Sequence, residues 1–398
     1  MTVQLPPWKS EESAGPPDAA SADALIVDSP AGASRLDLGR SVYCLFGLVF
    51  DAVTLDEASE ELHRCAAKRV PCLVSTPNVN FVVTALRDAA FRDSVLRSDL
   101  CLADGMPIVW AARLMGIPIR HRVAGSDLFE HLRSRKGQPL KVYFFGGPQG
   151  VAQRACAMLN AAPDGLRCVG FHSPGFGSIE ELSGDPQIDS INASGADFLV
   201  VALGASKGQA WIEHNRPRLE APIVSHLGAV VNFVAGNLRR APHALRRLGL
   251  EWCWRILQEP ALWRRYLLDG TVLLRLVLTW VLPCALSLLL RRVVAAPEAP
   301  ARFEVVADAR TTIFFLHGSW PASSLGHLRL EIARRLRANA TVQIDLAGVT
   351  WVDSSLIGLI ALLDVWQLHT RTIVPGGAVR PLVRKMIRRH GADFLLRR

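Results

Sequence analysis

The 398-residue sequence lacks the patterns that hold metals, disulfide frameworks and dinucleotides. Its eight cysteines are scattered through apolar stretches with no Cys-x-x-Cys pair. A metal site or disulfide framework needs ligands at short, repeated spacing, so all eight are expected to be reduced core residues of a cytosolic protein. There is no Gly-x-x-x-x-Gly-Lys loop and no Gly-x-Gly-x-x-Gly followed by a suitably placed acid. A dinucleotide oxidoreductase therefore lacks its fingerprint. The histidines, among them His63, His121, His131, His172, His214 and His226, form no triad-like arrangement and read as surface or core residues. Residues 1–40 have no apolar run of signal-peptide length, are rich in Pro, Ala, Ser and Asp, and are expected to be a disordered leader. Only 20% of residues are charged and 50% are hydrophobic, which excludes a mostly disordered chain.

From residue 41 short apolar runs alternate with amphipathic segments. Strands are predicted at 42–49 and 71–75 around a helix at 55–68, whose Leu55, Ala58, Leu62, Cys65 and Ala66 share one face. Helices at 80–97, 107–115, 151–159 and 209–215 and strands at 100–103, 141–145, 198–203 and 223–227 complete a domain over 41–237. The expected class is α/β, with a Rossmann-like, mainly parallel sheet that binds its ligand at the carboxyl ends of its strands.

The stretch 238–294 is different, a basic amphipathic segment followed by about 20 nearly uninterrupted apolar residues at 271–290, enough to span a bilayer. Arg275 and Pro283 interrupt that run and positive charge flanks it on both sides. Both features oppose translocation, so an interfacial or re-entrant segment is expected ahead of a true span or a soluble core helix. Ten arginines against three acids between Asn237 and Arg292 place +7 of the net +9 charge here. Arginine interleaved with Trp and Leu points to an anionic membrane surface and a diphosphate substrate, and away from nucleic acid. Residues 295–302 read as a linker, and 303–398 as a further small α/β unit.

Polar side chains gather where strands end. Ser75-Thr76-Pro77-Asn78, Ala103-Asp104-Gly105 and Arg122-Val123-Ala124-Gly125-Ser126-Asp127 bring a hydroxyl, an amide, a carboxylate and a guanidinium toward one crevice. A carboxylate there can take a proton from a hydroxyl, and an arginine can neutralise phosphate. Taken locally, Thr-Pro-Asn and Asp-Gly are also ordinary turns. Gly146-Gly147 and Gly204 either lend backbone N–H groups to a nucleotide or make tight turns.

The runs 75–132, 203–219 and 237–270 resemble, in order, the WecG/TagA/CpsF family of glycosyltransferases, over about residues 41–268. The resemblance implies inverting, metal-independent and cofactor-free transfer of a hexosyl or N-acetylhexosaminyl group. The donor would be a UDP-sugar and the acceptor a polyprenyl-diphosphate-linked glycan of bacterial surface or exopolysaccharide assembly. It implies a peripheral or monotopic protein at the cytoplasmic face of the inner membrane. By the same resemblance Asp104 is the general base, Thr76 and Asn78 its active-site neighbours and Arg122 the arginine of the Arg-Val-Ala-Gly motif. Arg255, Arg264 and Arg265 would close over the diphosphate, a role that suits bidentate guanidinium groups where no Asp-x-Asp pair is present.

Two departures bear on the donor. Gly208 stands where the family has Gln, with Gln209 as a substitute shifted by one residue, and Val231-Asn232 replaces Phe-Asp. Both favour an altered donor over lost activity, with a sugar-nucleotide-binding regulatory or scaffold protein as the alternative. Residues 342–363 resemble the core of STAS domains, which implies an interaction module with a protein partner. Ser354 and Ser355 match its phosphorylated position, although Leu356 departs from the usual Gly. Asp353 and Ser354 equally read as a helix cap.

Overall fold

The computed structural model describes residues 22–28, 35–162, 164–242, 245–246, 249–293, 299–308, 310–338, 340–367, 370–374 and 377–397. Most of the expected leader, Arg247, Leu248 and half of the expected linker lie outside the described residues. β1 (Ile26–Asp28) pairs antiparallel with β2 (Arg35–Asp37), and β3 (Val42–Leu45) with β4 (Leu48–Asp51). β5 (Cys72–Ser75), β6 (Leu100–Cys101), β7 (Leu140–Gly146), β8 (Leu166–His172), β9 (Phe198–Ala202) and β10 (Ile223–His226) form the expected parallel sheet, in the order β6-β5-β10-β9-β7-β8. The chain lays β6 beside β5, then crosses over to β7 and fills the gap later with β9 and β10. Such a reversal of direction opens a crevice at the carboxyl ends of the strands. β11 (Arg302–Ala307), β12 (Thr311–Trp320) and β13 (Thr341–Val352) make a separate mixed sheet, β12 running antiparallel to β11 and parallel to β13.

Local chemistry explains both the agreements and the differences. Helix Leu55–Lys68 opens with a capping box: Glu57 N–H donates to Thr54 Oγ1 at 3.3 Å and Thr54 N–H to Glu57 Oε2 at 2.7 Å. The single helix expected over 80–97 is two helices, Val79–Ala85 and Ala89–Leu96, because Asp88 accepts the Phe91 N–H at 3.0 Å and starts a new one. The strand expected at 42–49 is a hairpin that turns at Phe46 and Gly47, with φ of 56° and 81°. This turn is apolar because it is buried: Gly47 N–H donates to His390 O at 2.7 Å, and Phe46 packs near Trp280. Not all the cysteines are thiols. Helix Val151–Ala161 packs along β8, which sets the Cα atoms of Cys156 and Cys168 5.2 Å apart, and the two are disulfide-bonded.

The core of the C-terminal sheet is completed by the N-terminal hairpins. Val27, Leu36, Val42, Cys44 and Val49 join Phe314, Trp320, Ile344 and Leu359 in one buried cluster. Helix Ser354–Trp366 is buried from Ser354 to Val365 because β3 lies against it as well as β13. Gly358 permits that approach, since a Cβ there would stand 3.2 Å from Cys44 N.

Pro260–Arg291 is, among the described residues, the one helix long and apolar enough to cross a membrane, its most apolar 18 residues having mean hydropathy 2.2. It runs through Pro283 instead of breaking, as Trp263–Leu276, a π turn at Val277–Val281, and Leu282–Val293. The wide turn just before the proline makes room for a ring that would otherwise strike the carbonyl four residues back. One face of this helix packs on the parallel-sheet domain through Leu276, Val281 and Cys284, in a cluster with Met115 and Ile117. Its far end is held by the C-terminal unit: Arg389 Nη1 donates to Ser287 Oγ at 2.5 Å, and the Arg291 guanidinium lies 3.6 Å from the centre of the Trp351 ring. The opposite face leaves Leu267, Leu274, Leu278, Leu282, Leu286 and Leu289 about half exposed.

Candidate active site

The crevice above β5, β6, β10 and β9 continues beneath the basic helical segment as a cavity of about 1280 Å³. Its floor is built by close backbone approaches. Helix Gly125–Ser134 points its first N–H, from Gly125, at the Asp104 carboxylate. A Cβ at Gly125 would overlap Leu227 and come within 3.2 Å of Thr76 Oγ1, so only glycine lets this helix end reach the strand crest. Asp104 itself follows β6, and Gly105 makes the next turn with φ of 120°.

Burial pushes the Asp104 carboxyl up to about 7. The Arg122 charge and the Gly125 N–H pull against that, while Glu251 and Asp127 reinforce it. A carboxyl poised near neutrality can accept a proton from a hydroxyl and release it again, as a general base requires. Around it the positive charges are held by carboxylates. Arg122 bridges Asp127 and Glu251, and Asp127 also binds Arg240 and, at 3.3 Å, Arg246. Arg255 pairs with Glu259 at 2.7 Å. Charge-assisted bonds of this kind exchange readily for a phosphate, which offers the same bidentate acceptor geometry.

Thr76, Asn78, Asp104, Arg122, Gly147, Gly204, Asn232, Arg255 and Arg265 all line the cavity. Asn78 has a second task, accepting the Phe81 N–H at 3.2 Å as the cap of helix Val79–Ala85. Other candidates lie elsewhere. Gly146 serves the fold, because a Cβ there would meet Ala202 O at 2.7 Å where β7 and β9 converge. Arg264 is not in the cavity wall and sits over the Trp263 ring, 5.5 Å from its centre. Gln209 is not among the residues that line the cavity. It is 1% exposed, and its Nε2 donates to Ser75 Oγ at 2.7 Å inside the protein. Ser354 and Ser355 are buried, and Asp353 accepts the backbone N–H groups of Ser355, Leu356 and Ala322. The geometry there is that of a helix cap, closed to a kinase in this conformation.

The cavity also contains residues that sequence reasoning passed over. Glu251 and Asp269 come from the basic helical segment, where arginine drew the attention; Asp269 is buried and accepts from Asn80 Nδ2 at 3.2 Å. His226, read as a bland histidine, ends β10 and faces the cavity. Its position one residue before the end of the strand predicted at 223–227 was the available signal. The run Gly204-Ala205-Ser206-Lys207-Gly208 has Gly-x-Ser-x-Gly spacing, yet Ser206 sits inside helix Ala205–Asn215 without the positive φ of a nucleophile elbow.

A parallel α/β sheet whose crest holds a partly buried carboxyl raised toward neutrality, faced by arginines and roofed by a basic helical segment, suits group transfer of the glycosyltransferase class. The chain belongs to the glycosyl transferase WecG/TagA/CpsF family, whose model matches residues 43–284. Among its relatives is the N-acetylglucosaminyldiphosphoundecaprenol N-acetyl-β-D-mannosaminyltransferase of Bacillus spizizenii. That protein is 32% identical over 196 residues, which cover 47% of this chain and 74% of the relative. The proteins of the same name from Bacillus subtilis and Staphylococcus aureus are 25% and 24% identical over 201 and 224 residues, covering 77% and 85% of their lengths.

Proposed function

We propose that this protein transfers a sugar from a UDP-sugar to a polyprenyl-diphosphate-linked acceptor carrying N-acetylglucosamine, inverting the anomeric centre, in bacterial surface or exopolysaccharide assembly. The observation that carries the reading is Asp104, a partly buried carboxyl raised toward neutrality at the floor of a cavity faced by arginines. The acceptor hydroxyl attacks the anomeric carbon opposite the bond to UDP, and Asp104 takes the hydroxyl proton. The bond to the UDP oxygen breaks with its electron pair, and the new charge on the diphosphate is met by arginines. Arg122, Arg240 and Arg255 reach that charge by exchanging Asp127, Glu251 and Glu259 for phosphate oxygens. The acceptor names of the relatives agree with this reading.

The helix Pro260–Arg291 lies in the membrane plane at the cytoplasmic face. Its inner face is committed to the protein and its end is tied to the C-terminal unit, so the outer leucine row is what the bilayer receives. Tyr266 and Arg265 of the same helix line the cavity, which brings a lipid-linked acceptor to the site without leaving the surface. The C-terminal unit is read as a STAS-like module that braces this helix and the β3–β4 hairpin. The test is a panel of UDP-sugars offered with a prenyl-diphosphate-linked N-acetylglucosamine acceptor, with release of UDP as the readout. The account expects one donor to be consumed by the wild type and none by Asp104→Asn. Consumption by neither protein, or equally by both, refutes it.

A further inference from the structure

Gly208 and His226 are complementary. Gly208 is buried on helix Ala205–Asn215, and a Cβ there would overlap the imidazole of His226, with Cγ at 2.9 Å and Nε2 at 3.1 Å. Gly228 lies on the other side, its own Cβ position 3.3 Å from the same Nε2. The ring is thus seated between two glycines, with Phe81 6.3 Å away between ring centres. This is the central place in the crevice. His226 pairs in register with Val201 of β9, and the preceding Ser225 pairs with Val74 of β5, so the ring stands between the strand ends that carry Thr76 and Gly204.

Among the described residues no group satisfies the Nε2 of this imidazole, which is buried at the cavity wall without a hydrogen-bond partner. Burial pushes the ring down to about 4, so it is neutral at cellular pH and offers one donor and one acceptor. A buried polar nitrogen left unsatisfied is costly, and a ligand that supplies the missing bond recovers that cost. Gln209, the other candidate for this place, is turned into the interior by its bond to Ser75.

We infer that His226, whose ring fills the space that Gly208 leaves, is a donor-contacting residue that hydrogen-bonds the transferred sugar at the cavity wall, and that this pair sets donor selectivity. The matching chemistry is a hydroxyl or acetamido group, each of which both donates and accepts. The inference rests on the proposed transfer reaction and names the side chain that reads the sugar.

The test uses the full chain, with donor KM, kcat and the inhibition constant for free UDP as readouts. His226→Ala should raise the KM of the preferred UDP-sugar roughly three- to tenfold, the worth of one neutral hydrogen bond. The inhibition constant of UDP should stay as in the wild type, because UDP lacks the sugar. His226→Gln, which keeps a donor and an acceptor, should recover most of the loss or change which UDP-sugar is preferred. Gly208→Gln should impair the enzyme by striking the ring, and Gly208→Gln with His226→Gly should relieve that defect. If His226→Ala leaves the donor KM and the ranking of donors unchanged, or weakens UDP and UDP-sugar equally, the inference is wrong while the transfer reaction stands. If the wild type consumes no donor at all, the transfer reaction is wrong and this inference falls with it.

Discussion

The carboxyl of Asp104 sets a pH limit that can be worked out before any assay is run. A group that titrates at about 7 is ionised in roughly one molecule in ten at pH 6, in half at pH 7 and in about nine in ten at pH 8. If only the carboxylate accepts the acceptor proton, kcat/KM rises nearly tenfold from pH 6 to pH 8 and then levels, with unit slope below pH 7. Neighbouring charges then give a second, directional check. Glu251 raises the Asp104 carboxyl and Arg122 lowers it. Glu251→Gln should move the limb to lower pH, both by removing a like charge and by releasing Arg122 from its ion pair toward Asp104. Arg122→Gln should move it to higher pH, whatever it does to the plateau. The assay is initial-rate UDP release at subsaturating donor between pH 5.5 and 9, with each variant's folding checked by circular dichroism. A flat profile between pH 6 and 8, or a limb that moves the same way in both variants, would refute the assignment.

Three further outcomes follow from the same coordinates. Asp104 pays for its burial in stability: its folded value lies above the unfolded value of about 3.9, so stability is lost as pH rises from about 4 through 7. Asp104→Asn should therefore melt higher than the wild type at pH 8, with the gap closing toward pH 4; a gap independent of pH contradicts the linkage. Gly125→Ala drives a methyl group into Leu227 and toward Thr76 Oγ1, which should cost about 1–3 kcal/mol in urea unfolding and lower kcat; an unchanged midpoint would show that the helix end has slack. Replacing Leu274, Leu278 and Leu282 by Ser removes exposed apolar surface worth about 1–2 kcal/mol each on insertion. Sedimentation with anionic vesicles should fall by at least tenfold while the melting temperature holds, and undiminished sedimentation would exclude this face as the membrane contact.

The parallel sheet was legible because each of its strands is a short apolar run bounded by turn residues, and a sheet of that kind announces where its ligand binds. Thr76, Asp104 and Arg122 could be placed from that rule and from the family resemblance together. What escaped was information carried by contacts between segments distant in sequence. The Phe46-Gly47 turn lacks Asn or Asp because His390 and Gly391 cover it, and a reader of local sequence sees only a continuing strand. The core shared by the first hairpins and the C-terminal sheet is invisible for the same reason, since Val42 and Leu359 are more than three hundred residues apart. Gly208 looked like a lost contact because helical phase cannot show that the His226 ring occupies the space above it. The disulfide was hidden by a helix-to-strand connection whose packing, and not its spacing, brings Cys156 to Cys168.

Mass spectrometry of the lipid-linked product tests the central claim most directly. Full-length wild type and Asp104→Asn would each be incubated with the donor that the panel selects and with prenyl-diphosphate-linked N-acetylglucosamine, and the acceptor's intact mass followed with time. The account predicts that the acceptor gains one sugar residue with the wild type, matched by one UDP released, and gains none with Asp104→Asn. An acceptor that stays at its starting mass while UDP accumulates, or one that is extended equally by both proteins, would contradict it.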